Sequence, residues 1–246
     1  MKQLLLLAGA AGLLAGCAPT LAPHTPYIPV IREKGQFEAR VATGLGGSEL
    51  QLGYNITNRL VLHTGLLSTG RPARAKGFRS ADLGLGYYYL SPNGFWRLGL
   101  HTGLAYGGGT SGSPSCFECV PGSISSEYDV RYTYGYVQPT VILLGGARHT
   151  WGFALRVGQA YYQQLDEKLT DFASGQTRLV THPGHTSTFV QPVLQSTYQL
   201  LPWLLLSSKF GVQRFLGPSS RLNDMSSLVA QGSLHFVLRK RPVPQP

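Results

Sequence analysis

The sequence predicts an all-β chain: an antiparallel up-and-down β-barrel of about ten strands that spans a membrane. Three observations predict it. Apolar and polar residues alternate with period two from residue 36 onward, as in strands with one apolar and one polar face. Short connections alternate with longer ones along the chain, which is the layout of a transmembrane barrel. Only 13% of the 246 residues are charged, about half the share of a soluble domain, yet mean hydropathy is −0.02. The long apolar run at residues 4–15 is shorter than the roughly 20 residues of a membrane-spanning helix.

Each strand rests on its own alternation. Residues 36–43 set Phe37, Ala39 and Val41 against Glu38 and Arg40, and 48–56 set Leu50, Leu52 and Tyr54 against Glu49 and Gln51. Residues 60–68 oppose Leu62 and Leu66 to His63 and Gly65, and 79–90 oppose Leu83, Leu85 and Tyr87 to Asp82 and Gly84. Residues 95–106 carry Trp96, Leu98 and Leu100 on one face, with Arg97, Gly99 and His101 on the other. The pattern continues through 128–144, 151–163 and 185–199, with Arg156 on the polar face of the second of these. Residues 203–215 place Lys209 opposite Phe210, and 227–239 place His235 opposite Phe236.

The turns at 57–59, 91–94, 145–150 and 201–202 are short, whereas 69–78, 107–127, 164–184 and 216–226 read as long loops. The first hairpin, Gly44–Gly47, is short where a long loop is expected. Tyr136-Val137-Gln138-Pro139 leads after a turn to Trp151, and Phe189-Val190-Gln191-Pro192 leads after a turn to Trp203. This echo reads as two similar hairpins of one barrel.

A soluble sandwich also alternates, so the contents of the faces decide between the two. Trp96, Trp151 and Trp203 each open an apolar face just after a short turn, as in an interfacial aromatic girdle. The opposite face holds Glu38, Arg40, Glu49, His63, Asp82, Arg97, His101, Arg156, Lys209 and His235. Those groups suit a polar lumen network better than a core, where each unpaired ion would cost several kcal/mol. Gly53, Gly65, Gly84, Gly86, Gly99, Gly103, Gly158 and Gly211 also fall on the polar face. A ten-stranded barrel is little wider than the eight-stranded size that side chains fill, so a largely plugged lumen is expected.

Lys2, the apolar run from Leu4 and the small residues that follow form a signal peptide over residues 1–16. Leu14-Ala15-Gly16-Cys17 resembles a bacterial lipobox, which implies a diacylglycerol on the Cys17 sulfur and palmitate-type acylation. Pro19, Pro23, Pro26 and Pro29 mark residues 17–35 as an extended, lipidated tether. The barrel domain is then 36–240, and residues 241–246 form a disordered tail. The lipobox signal, the Pro-rich stretch, Glu33-Lys34-Gly35-Gln36 and the run of hairpins after it look like small lipid-anchored outer-membrane β-barrel proteins of Gram-negative bacteria. The resemblance implies the cell outer membrane, with a lipid anchor at the N-terminus.

The remaining chemistry is sparse. Cys116 and Cys119 form a CxxC in the 107–127 loop, expected as a local disulfide in an oxidising envelope. His182 and His185 form an HxxH expected on a loop surface, since two ligands do not make a metal site. No motif arranges Ser, His and acid residues for catalysis, so no catalytic residue, cofactor or metal is assigned. The chain carries 21 Lys and Arg against 11 Asp and Glu, but these are scattered, so nucleic acid is not an expected partner. The expected partner is the lipid bilayer, with a small ligand or an envelope protein as further candidates. The expected role is structural, or interaction through the outer loops. Three alternatives stand beside it: a narrow channel or small-ligand carrier on the Arg97, Arg156 and Lys209 side of the lumen, a membrane-embedded lipid-acting hydrolase, and a soluble periplasmic lipid-binding barrel.

Overall fold

The computed structural model describes residues 21–70, 77–112, 124–146, 148–171, 174–216 and 227–238. These residues form β1 (Phe37–Gly44), β2 (Gly47–Asn55), β3 (Leu60–Ser68), β4 (Gly77–Leu90), β5 (Trp96–Gly112) and β6 (Ile124–Leu143). They continue as β7 (His149–Asp171), β8 (Thr177–Thr181), β9 (Thr186–Leu201), β10 (Leu204–Leu216) and β11 (Ser227–Leu238). Each strand from β1 to β7 pairs antiparallel with the next, β7 pairs with β9, and β9, β10 and β11 follow in order. β11 returns to β1 and closes the ring. Every strand but β8 belongs to that ring, which makes it a closed ten-stranded antiparallel barrel.

The ten segments expected from alternation are the ten strands of the barrel. Two expected loops are corrected. Much of 107–127 and 164–184 is strand, because β5, β6 and β7 run on past the barrel and β8 folds back on β7. Their alternation is hard to read because these extensions carry Gly, Ser, Thr and charged residues on both faces. Without lipid on one side, no apolar face is required. The wall is therefore uneven, low at β1 to β3 and tall at β6 and β7, which have 20 and 23 residues.

Outward residues are apolar around the whole barrel, with Leu104 73% exposed and Phe210 59% exposed. On β5 the outward row runs from Trp96 to Tyr106, and on β7 from Trp151 to Tyr161. Register aligns both ends: Trp96 pairs with Leu143 and Leu143 with Trp151, while Tyr106 pairs with Thr133 and Thr133 with Tyr161. Ten steps at about 3.3 Å, tilted about 45°, give a belt roughly 25 Å tall. That height matches the apolar band of an outer-membrane barrel.

The main departure lies at the N-terminus. Residues 21–31 do not lie outside the barrel as a tether; they run extended through its lumen, with Leu21, His24, Tyr27, Ile28 and Ile31 almost fully buried. Leu21 clusters with Phe78, Val130, Tyr132 and Leu165 where the strands are long. At the other end Gln36 and Asn55 pair beside the short turn after β2.

The lumen glycines make room for this arrangement. A methyl group on Gly53 would collide with the Tyr27 phenol, and one on Gly99 with the Tyr88 ring. Gly53→Val is expected to destabilise the barrel by about 1–3 kcal/mol through overpacking. Chemical denaturation in detergent micelles checks this, and an unchanged midpoint would remove Tyr27 from that position.

Candidate functional site

The site is the lumen itself, built where the inward faces of the strands meet the threaded segment. An extended, proline-rich chain cannot satisfy its own carbonyls, because a polyproline-type helix has no internal hydrogen bonds. Pro23, Pro26 and Pro29 stand three residues apart and bring no N–H. The wall supplies the donors. The carbonyls of Ala22, His24, Thr25, Pro26, Tyr27, Ile28 and Ile31 accept from Tyr132, Arg156, Gln51, Lys209, Gln138, Gln195 and Arg97 respectively. These seven donors come from β2, β5, β6, β7, β9 and β10, so the segment is gripped from most of the circumference.

Two carboxylates hold its N–H groups. Glu49 Oε1 accepts from the Thr25 amide at 3.1 Å and lies 3.2 Å from His24 Nδ1. Its second oxygen accepts from the Thr25 hydroxyl and faces Arg40 at 3.6 Å. Arg40 also donates to the Thr25 hydroxyl at 3.0 Å. Glu38 accepts from the Tyr27 hydroxyl and the Val30 amide, both at 3.1 Å, and meets His235 Nδ1 at 2.7 Å. Arg40, Arg156, Glu38 and His235 have no solvent exposure. Charges so buried persist only when paired and hydrogen-bonded, and the threaded segment supplies partners to Arg40, Arg156 and Glu38.

Rings fill the remaining width. Tyr27 stacks on His63 with centroids 4.7 Å apart, and His63 lies 5.3 Å from His101. His101 hydrogen-bonds the Tyr88 hydroxyl. Arg97 sits 4.5 Å over Tyr88 and Arg156 sits 4.0 Å over Tyr136, both cation–π contacts. Asp82 and His24 share the space above Gly65, where a methyl group would be 2.6 Å from Asp82 Oδ1 and 3.0 Å from His24 Nδ1. All ten residues expected on the lumen face are therefore at lumen positions. Trp151 and Trp203 are on the outer surface, 41% and 51% exposed, and Trp96 is partly covered by Tyr89.

One chain of contacts has the order of a hydrolytic triad. Ser80 Oγ lies 3.0 Å from His24 Nε2, and His24 Nδ1 lies 3.2 Å from Glu49. Glu49 fixes the imidazole with Nε2 facing the hydroxyl, as a general base requires. Sequence spacing cannot reveal this set, because His24 lies in the segment read as a tether. Access is the obstacle to catalysis. Ser80 is buried, and it also meets the Tyr132 hydroxyl, whose ring belongs to the apolar cluster around Leu21 and Phe78. Moving the segment to admit a substrate would carry His24 away with it. The contacts work as a clasp.

Two hollows flank the lumen. One, of about 180 Å³, lies at the short-turn end and is lined by Arg32, Glu33, Arg97, Arg148 and Gln199 among others. The other is an apolar trough of about 620 Å³ on the outer wall, lined by Val41, Leu50, Leu66, Ala81 and Tyr106 among others. Those five residues form one register row across β1 to β5, which reaches the end of the apolar belt at Tyr106. Beyond the belt, Glu167 joins β7 to its neighbours, accepting from Tyr128 at 2.9 Å and facing His182 at 3.2 Å. There, burial and the Glu167 carboxylate push the Tyr128 phenol up to about 12. His185 instead contacts Ser187, and no group of three or more metal-ligating side chains occurs among the described residues. Cys17, Cys116 and Cys119 lie outside the described residues.

No family model and no curated protein sequence matches the chain. Among solved structures it is similar to Ail, the attachment invasion locus protein of Yersinia pestis, at 11% identity over 83% of this chain and 99% of that one, with TM-score 0.36. It is also similar to the translocator domain of the autotransporter NalP from Neisseria meningitidis, at 11% identity, 83% and 86% coverage and TM-score 0.42. A third is the outer membrane protease OmpT from Escherichia coli, at 10% identity, 82% and 90% coverage and TM-score 0.42.

Two outcomes follow from the lumen contacts. Glu49→Ala strands Arg40 and is expected to cost about 3–5 kcal/mol of stability, whereas Lys168→Ala on the exposed extension should stay within about 0.5 kcal/mol; denaturant midpoints in micelles compare them. Ser80→Ala should cost about 1 kcal/mol, and a fluorophosphonate probe should leave Ser80 unlabelled. Labelling at Ser80 would overturn the clasp reading.

Proposed function

We propose that this chain is an outer-membrane β-barrel lipoprotein that its own N-terminal segment keeps closed, with a structural or docking role rather than a conducting one. The observation that carries this reading is the use of the lumen cations. Arg97, Arg156 and Lys209, the groups a channel or ligand carrier would present, each donate to a carbonyl of the threaded segment. A permeating anion would have to compete with all of these contacts at once. The uniform apolar belt supports insertion in a bilayer, since it leaves far more apolar surface exposed than a soluble monomer carries. The tall β5 to β8 projection stands clear of that belt and offers the surface for a partner in the envelope.

Planar-bilayer recording tests the proposal. The intact protein is expected to be electrically silent, and a variant lacking residues 21–32 is expected to conduct once inserted. Steady conductance of the intact protein would favour the channel alternative.

A further inference from the structure

The path of the N-terminal segment has a definite sense, and its two ends lie on opposite sides of the apolar belt. Phe78, Gly109, Val130 and Leu165 form one register row. That row lies three positions beyond the row of Ala81, Tyr106, Thr133 and Tyr161 (four on β7, across a bulge), which marks the upper edge of the belt. Leu21 clusters with Phe78, Val130 and Leu165. At the other end, the Ile31 carbonyl accepts from Arg97, next to Trp96 at the lower edge. From Leu21 to Ile31 is ten steps, which in an extended proline-rich chain cover about 31 Å at about 3.1 Å each. That is the thickness of a bilayer hydrocarbon core, about 30 Å. The segment therefore crosses the whole membrane.

In outer-membrane barrels the short turns face the periplasm and the longer connections face outward. From this we infer that the chain crosses the membrane an eleventh time, through its own barrel, entering the lumen at Leu21 from the cell-surface side and leaving it at Ile31 on the periplasmic side. The lumen contacts then hold this eleventh span in place, each wall donor resisting its withdrawal.

The inference rests on the membrane-spanning reading above, and the experiment separates the two. An epitope tag is inserted between Pro19 and Thr20, between Pro92 and Asn93, or between Ser174 and Gly175 of the full chain. Antibody binding is then compared between intact and permeabilised cells. The tags at 19/20 and 174/175 are expected to give equal signal before and after permeabilisation. The tag at 92/93 is expected to give signal only afterwards. If the 19/20 tag behaves like the 92/93 tag while 174/175 is exposed, threading is overturned and the barrel reading stands. Equal exposure of 92/93 and 174/175 overturns both. Should a tag block insertion, Thr20→Cys and Asn93→Cys, each with Cys116→Ser and Cys119→Ser, are labelled with a membrane-impermeant maleimide in intact cells. Labelling of position 20 but not 93 supports the threading, and the reverse contradicts it.

Discussion

A peptide backbone stripped of water needs a partner for every carbonyl, and that requirement shapes this molecule. Residues 21–31 are too rich in proline to form a helix or strand, so their carbonyls find no partner within the segment itself. Inside a barrel the only donors are wall side chains. Gln51, Gln138, Gln195, Arg97, Arg156 and Lys209 are long enough to reach the axis. A neutral hydrogen bond contributes only about 0.5–1.5 kcal/mol net and one to a charged group about 1.5–3, but removing a partner exposes the full desolvation cost. Segment and wall are therefore interdependent. An empty lumen would leave buried cations unpaired, and a free segment would gain nothing from its burial.

Glu38 and Glu49 extend the same constraint to charge. Each sits on a strand near the β1–β11 closure, and each binds both the segment and a wall group, His235 for Glu38 and Arg40 for Glu49. Closing the barrel and seating the segment thus share the same carboxylates. The glycines fit this account, since those at 53 and 99 leave the volume that the Tyr27 and Tyr88 rings occupy.

The barrel was legible in the sequence because bilayer and lumen impose opposite polarity on the two faces of each strand, a contrast that Leu98 against Arg97 or Phe210 against Lys209 makes plain. The lumen residues followed from the same alternation. The threaded segment did not, because Pro23, Pro26 and Pro29 carry the same local signal in a solvated spacer as in a buried ribbon. A faint clue lay between them: Tyr27, Ile28 and Ile31 are too apolar for a spacer, and the lumen face holds long donors in excess of its acids. The extensions of β5, β6 and β7 look like loops in the sequence because they leave the membrane, and with it the apolar face that marks a strand. His24 completes its contact with Ser80 and Glu49 across a sequence separation that no motif records.

The central claim is that residues 21–31 are an integral part of the barrel interior. Hydrogen exchange, read by mass spectrometry on the intact protein in nanodiscs, tests it most directly. The amides of Thr25 and Val30 donate to Glu49 and Glu38 inside the lumen, so the peptide covering 21–31 should exchange as slowly as the strands β1 and β2 around it, opening only with the barrel. Full exchange of that peptide within seconds, while the strands stay protected, would show a free segment and contradict the account.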